Sequence, residues 1–178
     1  MGKKICIIGG ESTGKTTLAE NLAKHFNSDW VPEYARIYLD NRDFSENPFC
    51  ENDFIEISKG QIKLENETFS KSSNKNILFC DTCPLITSLW SNFFIGKTSE
   101  ELNQEIKKSS YDLYLLLDCN IDWISDELRF IPNEAARQEF QANLIAKLNL
   151  EGIKFELITD KGFKERESKA IELVKKIL

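Results

Sequence analysis

At 178 residues and 20.5 kDa the chain has the size of one compact domain, and with 41% hydrophobic and 29% charged residues it is neither a disordered nor a low-complexity polymer. Its 23 basic and 29 acidic residues leave a net charge of −6 and a pI of about 5.0, a balance that opposes binding to nucleic acid or to an anionic membrane surface. Five scattered cysteines, an odd number, exclude a small disulfide-built secreted fold and point to reduced thiols in the cytoplasm.

Residues 4–8 read as a short strand ending at Gly9-Gly10, and this apolar stretch is too brief for the core of an export signal. Leu18, Leu22 and Phe26, with Ala19 and Ala23, then recur at helical spacing, so the chain opens as strand, tight loop, amphipathic helix. Residues 29–31 read as a second strand stopped by Pro32, followed by a helical Glu33-Tyr34-Ala35-Arg36 stretch. A polar loop over 45–52 leads into a long helix over 53–70, whose apolar periodicity is imperfect, and 71–76 form a solvated connector.

The runs 77–80 and 113–117 are unbroken apolar segments ending on Asp81 and Asp118, the pattern of strands covered on both faces of a parallel sheet. Even the longer of them is too short to span a bilayer. Between them Pro84 opens a helix carrying Leu85, Ile86, Leu89, Trp90 and Phe93, and 99–108 form a second helical piece. A polar, aromatic segment to Asn133 precedes a helix ending near Asn149 and a strand over 154–158. The last helix puts Phe163, Ala170, Ile171, Val174, Ile177 and Leu178 on one face.

Gly9-Gly10-Glu11-Ser12-Thr13-Gly14-Lys15-Thr16 matches G-x-x-x-x-G-K-[ST] between a predicted strand and a predicted helix, which is the context a phosphate-cradling loop requires. The glycines let backbone N–H groups and the helix N-terminus face anionic oxygens, and Lys15 neutralises β- and γ-phosphate charge. Residues Gly9 to Thr17 are thus the expected ATP contacts, with the Thr16 hydroxyl on Mg²⁺. The whole is expected to be a single domain over 1–178. Its class is a three-layer α/β P-loop fold of the nucleoside- and nucleotide-kinase kind, with a mostly parallel five-stranded sheet flanked by helices. A P-loop alone also serves an ATPase or a nucleotide-binding regulatory module. A GTPase is disfavoured, because Thr159-Asp160-Lys161-Gly162 is no N-K-x-D segment.

Asp81, closing a strand on the ligand rim, is placed to reach Mg²⁺, and Glu33, closing another, could take the proton of an attacking hydroxyl; spacing leaves those two roles interchangeable. Arg129 and Arg137 fall in a segment, near 120–137, where small kinases carry a mobile lid, and Arg129 is the first choice to meet the transferring phosphoryl group. Tyr34, Tyr38, Trp90 and Trp123 are candidates to stack on a planar substrate ring, with Tyr34 and Trp123 ranked first. Cys80-Asp81-Thr82-Cys83 also has the spacing of a thioredoxin-like redox motif, a weaker reading because the P-loop claims Asp81.

Taken together, GGESTGKTTLAENLA, PEYARIYL, ISKGQ, LFCDT, YDLYLLLD and DWISDELR resemble, in order and over nearly the whole chain, the kinase domain of the NadR type, the ribosylnicotinamide kinases and their stand-alone relatives. The resemblance implies transfer of the ATP γ-phosphate to the 5′-hydroxyl of nicotinamide riboside, giving nicotinamide mononucleotide. It places substrate contacts on Glu33, Tyr34, Arg36, Gln61, Asp81 and Trp123 and the lid arginine on Arg129. The chain departs from the family at Cys83, where Asp-Thr-Asp is frequent, and at Ser125 and Glu127 in the lid. Its length leaves no room for the adenylyltransferase and helix-turn-helix regions of multifunctional NadR proteins.

Overall fold

A computed structural model describes residues 2–72, 74 and 76–178. The predicted connector includes Ser73 and Lys75, which lie outside the described residues. The elements are β1 (Lys3–Ile8), α1 (Lys15–His25), β2 (Asp29–Val31), α2 (Tyr34–Tyr38), α3 (Glu51–Lys71), β3 (Ile77–Asp81), α4 (Pro84–Ile95), α5 (Glu100–Lys108), β4 (Leu113–Leu117), α6 (Glu134–Leu150), β5 (Glu156–Ile158) and α7 (Phe163–Lys175). All strand pairs are parallel, in the order β2-β3-β1-β4-β5. The order reverses direction at central β1, so the loop leaving β1 opens where a parallel sheet forms its ligand crevice.

Strand alternation divides the interior. Ile5 and Ile7 pack with Leu18, Ala19 and Leu22 of α1 and Ala170 and Val174 of α7, whereas Cys6 and Ile8 pack with Leu85 and Ile86 of α4 and Leu144 and Leu148 of α6. The last helix departs from its expected face. Phe163 and Leu178 are exposed, because Phe163 is the first residue of α7 and lies against Gly14, while Leu178 follows the helix end. No described helix is long and apolar enough to cross a membrane.

The imperfect periodicity of α3 has a physical origin: the helix buries polar residues. Glu65, fully buried, accepts from Lys4 Nζ and the Tyr111 hydroxyl, each at 2.7 Å. Asp53, near the start of α3, accepts from Tyr38 (3.0 Å), from both Arg42 amino nitrogens (2.7 and 2.9 Å) and from the Cys50 N–H (2.7 Å). Burial opposes the Asp53 charge, but these bonds outweigh it and hold the carboxyl down at about 2. That lies below the ordinary aspartate value of about 3.9, so the stabilisation is complete above about pH 4 and is lost as pH falls through about 2. Asp53→Asn should therefore lower the unfolding free energy by about 2 kcal/mol at pH 7. Urea melts should show the gap to the native chain closing between about pH 4 and pH 2; a constant gap would contradict this origin.

Candidate active site

Backbone geometry makes the β1–α1 loop. Gly14 takes φ 86°, and a Cβ there would lie 2.8 Å from Phe163 Cε1, so only glycine fits without displacement. The Thr13 hydroxyl and the Lys15 ammonium both donate to the Gly10 carbonyl, at 3.0 and 2.8 Å, closing the loop over the first turn of α1. Gly14 provides no capping side chain, which leaves the first-turn N–H groups available to an anion.

Arg166 holds this loop from below. Only 2% exposed, it donates to the carbonyls of Thr13 (2.7 Å), Asp118 (2.9 Å) and Asp160 and to Asn120 Oδ1 (2.7 Å), tying the loop to the ends of β4 and β5. Sequence reasoning missed it, since along α7 an arginine between two glutamates carries no local sign of burial.

Asp81, 1% exposed, accepts from the Thr16 hydroxyl at 2.5 Å through Oδ2, while Oδ1 is buried without a partner among the described residues. Burial, reinforced by the charge of Glu33 and opposed by Lys15 and Thr16, pushes its carboxyl up to about 6. A carboxylate with an open oxygen beside a hydroxyl is a donor set suited to a hard cation, which would relieve that strain. Glu33, at the N-terminus of α2, lines the cavity and lies 3.5 Å from Arg36 Nε.

One cavity runs from the Gly9–Thr17 loop past Glu33, Arg36 and Gln61 to an aromatic end walled by Phe49, Phe54, Trp90, Phe94 and Phe130. Around it, Gln61 Nε2 and Thr82 Oγ1 are buried and unpartnered among the described residues, and Thr82 adopts φ 74°, a costly backbone for a β-branched residue. The segment between β4 and α6 crosses the loop. Glu11 accepts the Phe130 and Ile131 N–H groups at 2.7 and 2.8 Å, and Ser12 Oγ accepts from the Ile124 N–H at 2.9 Å and donates to the Asp122 carbonyl at 3.3 Å. Asp126 receives Arg36 and Arg129, each at 3.0 Å. Arg129 faces the cavity and also donates to the Ile124 carbonyl. Arg137 is buried and donates to the Cys119 and Ile121 carbonyls, both at 3.0 Å.

Several expectations need correction in position. Glu11, expected among the loop residues whose backbone N–H groups face phosphate, lines the cavity, and its carboxylate accepts from the N–H groups of residues 130 and 131. Tyr34 and Trp123 do not line the cavity: the Tyr34 ring lies on Gly60, and the Trp123 indole N–H is buried without a partner among the described residues. Tyr38 bonds Asp53 instead. The rings that do face the cavity come from five places in the chain, and apart from Trp90 sequence reasoning missed them, because nothing local separates a cavity phenylalanine from a core one. The redox reading fails for Cys80 and Cys83. Both are buried, and burial pushes the Cys80 thiol well above its ordinary range, away from the reactive thiolate.

Gly60 serves a close approach: a Cβ there would fall 2.0 Å from Tyr34 Cε1, while the Tyr34 N–H donates to Gln61 Oε1 at 2.8 Å. In Gly60→Ala the helix gains about 1 kcal/mol of propensity but loses about 2 kcal/mol to overpacking. Urea melts should show net destabilisation that turns into stabilisation when Tyr34→Ala removes the ring; destabilisation in both backgrounds would assign the cost elsewhere.

The strand order and the glycine loop define a P-loop protein of the nucleoside- and nucleotide-kinase fold. The chain belongs to the AAA domain family, whose model matches residues 4–166. It is 28% identical over 177 residues to the trifunctional NAD biosynthesis/regulator protein NadR of Escherichia coli (strain K12), covering 99% of this chain and 43% of that protein's length. Among solved structures, a NadR protein in complex with NR superposes with a TM-score of 0.80 at 25% identity, covering 98% of this chain and 50% of that one. Thymidylate kinase from Candida albicans, at 17% identity, shares the fold with a TM-score of 0.63, covering 98% of this chain and 92% of that one.

Proposed function

We propose that the chain is a Mg-ATP-dependent nucleoside kinase that transfers the γ-phosphoryl group to a nucleoside 5′-hydroxyl, with nicotinamide riboside as the preferred acceptor and nicotinamide mononucleotide as the product. The observation that carries this reading is a single cavity lined by the phosphate loop and by a cluster of aromatic rings, with Glu33 in the same lining. An ATPase without an acceptor has no use for such a compartment. Aromatic faces attract a flat cationic base, as in nicotinamide riboside. The likeness to a NadR protein bound to NR supports the same acceptor. Cys83 is itself buried in the core and does not line the cavity, but its neighbours Thr82 and Ile86 do, so this departure adjoins the cavity wall.

In this reading the loop amides and Lys15 hold the β- and γ-phosphates, and Arg129, carried by a lid over residues 120–137, meets the charge on the phosphoryl group in flight. Thr16 and Asp81 would hold Mg²⁺, which when bound offsets phosphate charge; the unpartnered Asp81 Oδ1 fits that role. Glu33, exposed to the cavity where Asp81 is not, accepts the hydroxyl proton as the new O–P bond forms and ADP departs. Gln61 and Arg36 orient the acceptor. The purified protein should be offered a panel of nucleosides with Mg-ATP, with ADP and phosphorylated nucleoside measured together. One product per ADP with nicotinamide riboside is expected; ADP release indifferent to every nucleoside would overturn the reading.

A further inference from the structure

Arg166 is a buried charge that the proposed phosphoryl transfer leaves unused. Its guanidinium donates to the carbonyls of Thr13, Asp118 and Asp160 and to the side-chain amide oxygen of Asn120, and every one of these acceptors is neutral. Among the described residues no carboxylate forms an ion pair with it, in contrast to Arg42, which meets Asp53 at 2.7 Å. The nearby Asp118 carboxylate accepts from Gln141 Nε2 at 2.8 Å, and Asp160 is exposed, where water screens its charge. A cation taken out of water without a matching anion is costly, and burial pulls the Arg166 guanidinium below its ordinary pKa.

The bond to Thr13 leads into the phosphate loop. No described peptide bond is cis, so the Gly14 N–H points opposite to the Thr13 carbonyl and away from the guanidinium. Gly14 lines the cavity, and its N–H has no acceptor among the described residues. A cation bonded to one end of a peptide unit polarises it and strengthens the donor at the other end. The guanidinium, the Thr13–Gly14 peptide and a phosphate oxygen would then form one chain of hydrogen bonds, with the positive charge at its buried end.

We propose that Arg166 is a positioning residue of the phosphate site that acts by its charge: it polarises the Thr13–Gly14 peptide toward a phosphate oxygen, and the bound polyphosphate is the counter-ion that the buried guanidinium lacks. This rests on the Mg-ATP reading only as far as polyphosphate binding at the loop, and it extends the site to a charge beneath that loop.

Arg166→Lys keeps the charge and gives up the planar fork, whereas Arg166→Gln keeps a hydrogen-bond donor and gives up the charge. Calorimetric titrations with AMP, ADP and a non-hydrolysable ATP analogue separate charge from bracing without any turnover. Arg166→Gln should weaken the ATP analogue about 10-fold and AMP less than about 2-fold, with ADP between, while Arg166→Lys should stay within about 3-fold of the native chain for all three. A brace with no electrostatic role would cost the three nucleotides the same factor, or cost the lysine variant as much as the glutamine one. Either result would overturn the proposal and leave the kinase reading standing. Thermal midpoints without nucleotide check that the variants fold. If Arg166→Gln does not, the lysine variant decides alone: a ratio of ATP-analogue to AMP affinity kept at the native value supports the proposal, and a ratio reduced about 10-fold overturns it. A native chain that binds none of the three nucleotides would instead remove the reading beneath the proposal, and the proposal with it.

Discussion

Lys15→Ala is expected to cut phosphoryl transfer by about 10³-fold or more, the largest single loss the site can show. Lys15 is the first residue of α1, and its ammonium, donating to the Gly10 carbonyl, is the cation that the proposed mechanism sets on the β- and γ-phosphates. Charge builds on the β–γ bridging oxygen as that bond breaks, so an ammonium at this point stabilises the transition state more than bound ATP. The loss should therefore fall mainly on kcat, with the nucleotide Kd weakened far less. The strand β1 and the turn at Gly14 do not depend on the ammonium, so the thermal midpoint should hardly move. An inactive variant whose nucleotide affinity has collapsed by the same factor would reduce Lys15 to a binding residue.

The second large effect separates the two carboxylates. Glu33→Gln removes the proposed proton acceptor and should lower kcat by about 10²–10³-fold, with no change in the magnesium concentration needed for half-maximal rate. Asp81→Asn should lower turnover to a similar degree but raise that magnesium requirement, because Thr16 and Asp81 share a 2.5 Å contact and Asp81 Oδ1 is the unpartnered buried oxygen beside it. Rates measured across a magnesium series distinguish them. If the magnesium dependence moves in Glu33→Gln and stays put in Asp81→Asn, the two assignments are exchanged.

The loop from Gly9 to Thr16 could be read directly because its geometry is local. Glycines at positions of positive φ, a lysine at the helix start and a flanking strand and helix are all contained in about twenty consecutive residues. The runs of β3 and β4 were legible for the same reason, since burial on both faces demands unbroken apolar sequence. Helix α3 was legible as a helix but not as a wall. Its buried Asp53, Gln61 and Glu65 break the apolar period, and their partners Arg42, Tyr34 and Lys4 lie elsewhere in the chain.

By itself, then, the amino-acid order determined the alternation of strands and helices, the parallel α/β class, the phosphate-binding turn and the carboxylate that ends β3. Each of these follows from backbone sterics and periodic burial over short spans. Only the tertiary structure decided which rings enclose the aromatic end of the cavity, that Arg166 braces the loop from beneath, and that Glu11 turns to residues 130 and 131. Those features join side chains from separate turns of the chain. A phenylalanine or an arginine has the same local signature whether it ends in the core, on the surface or at a site, and packing alone tells them apart.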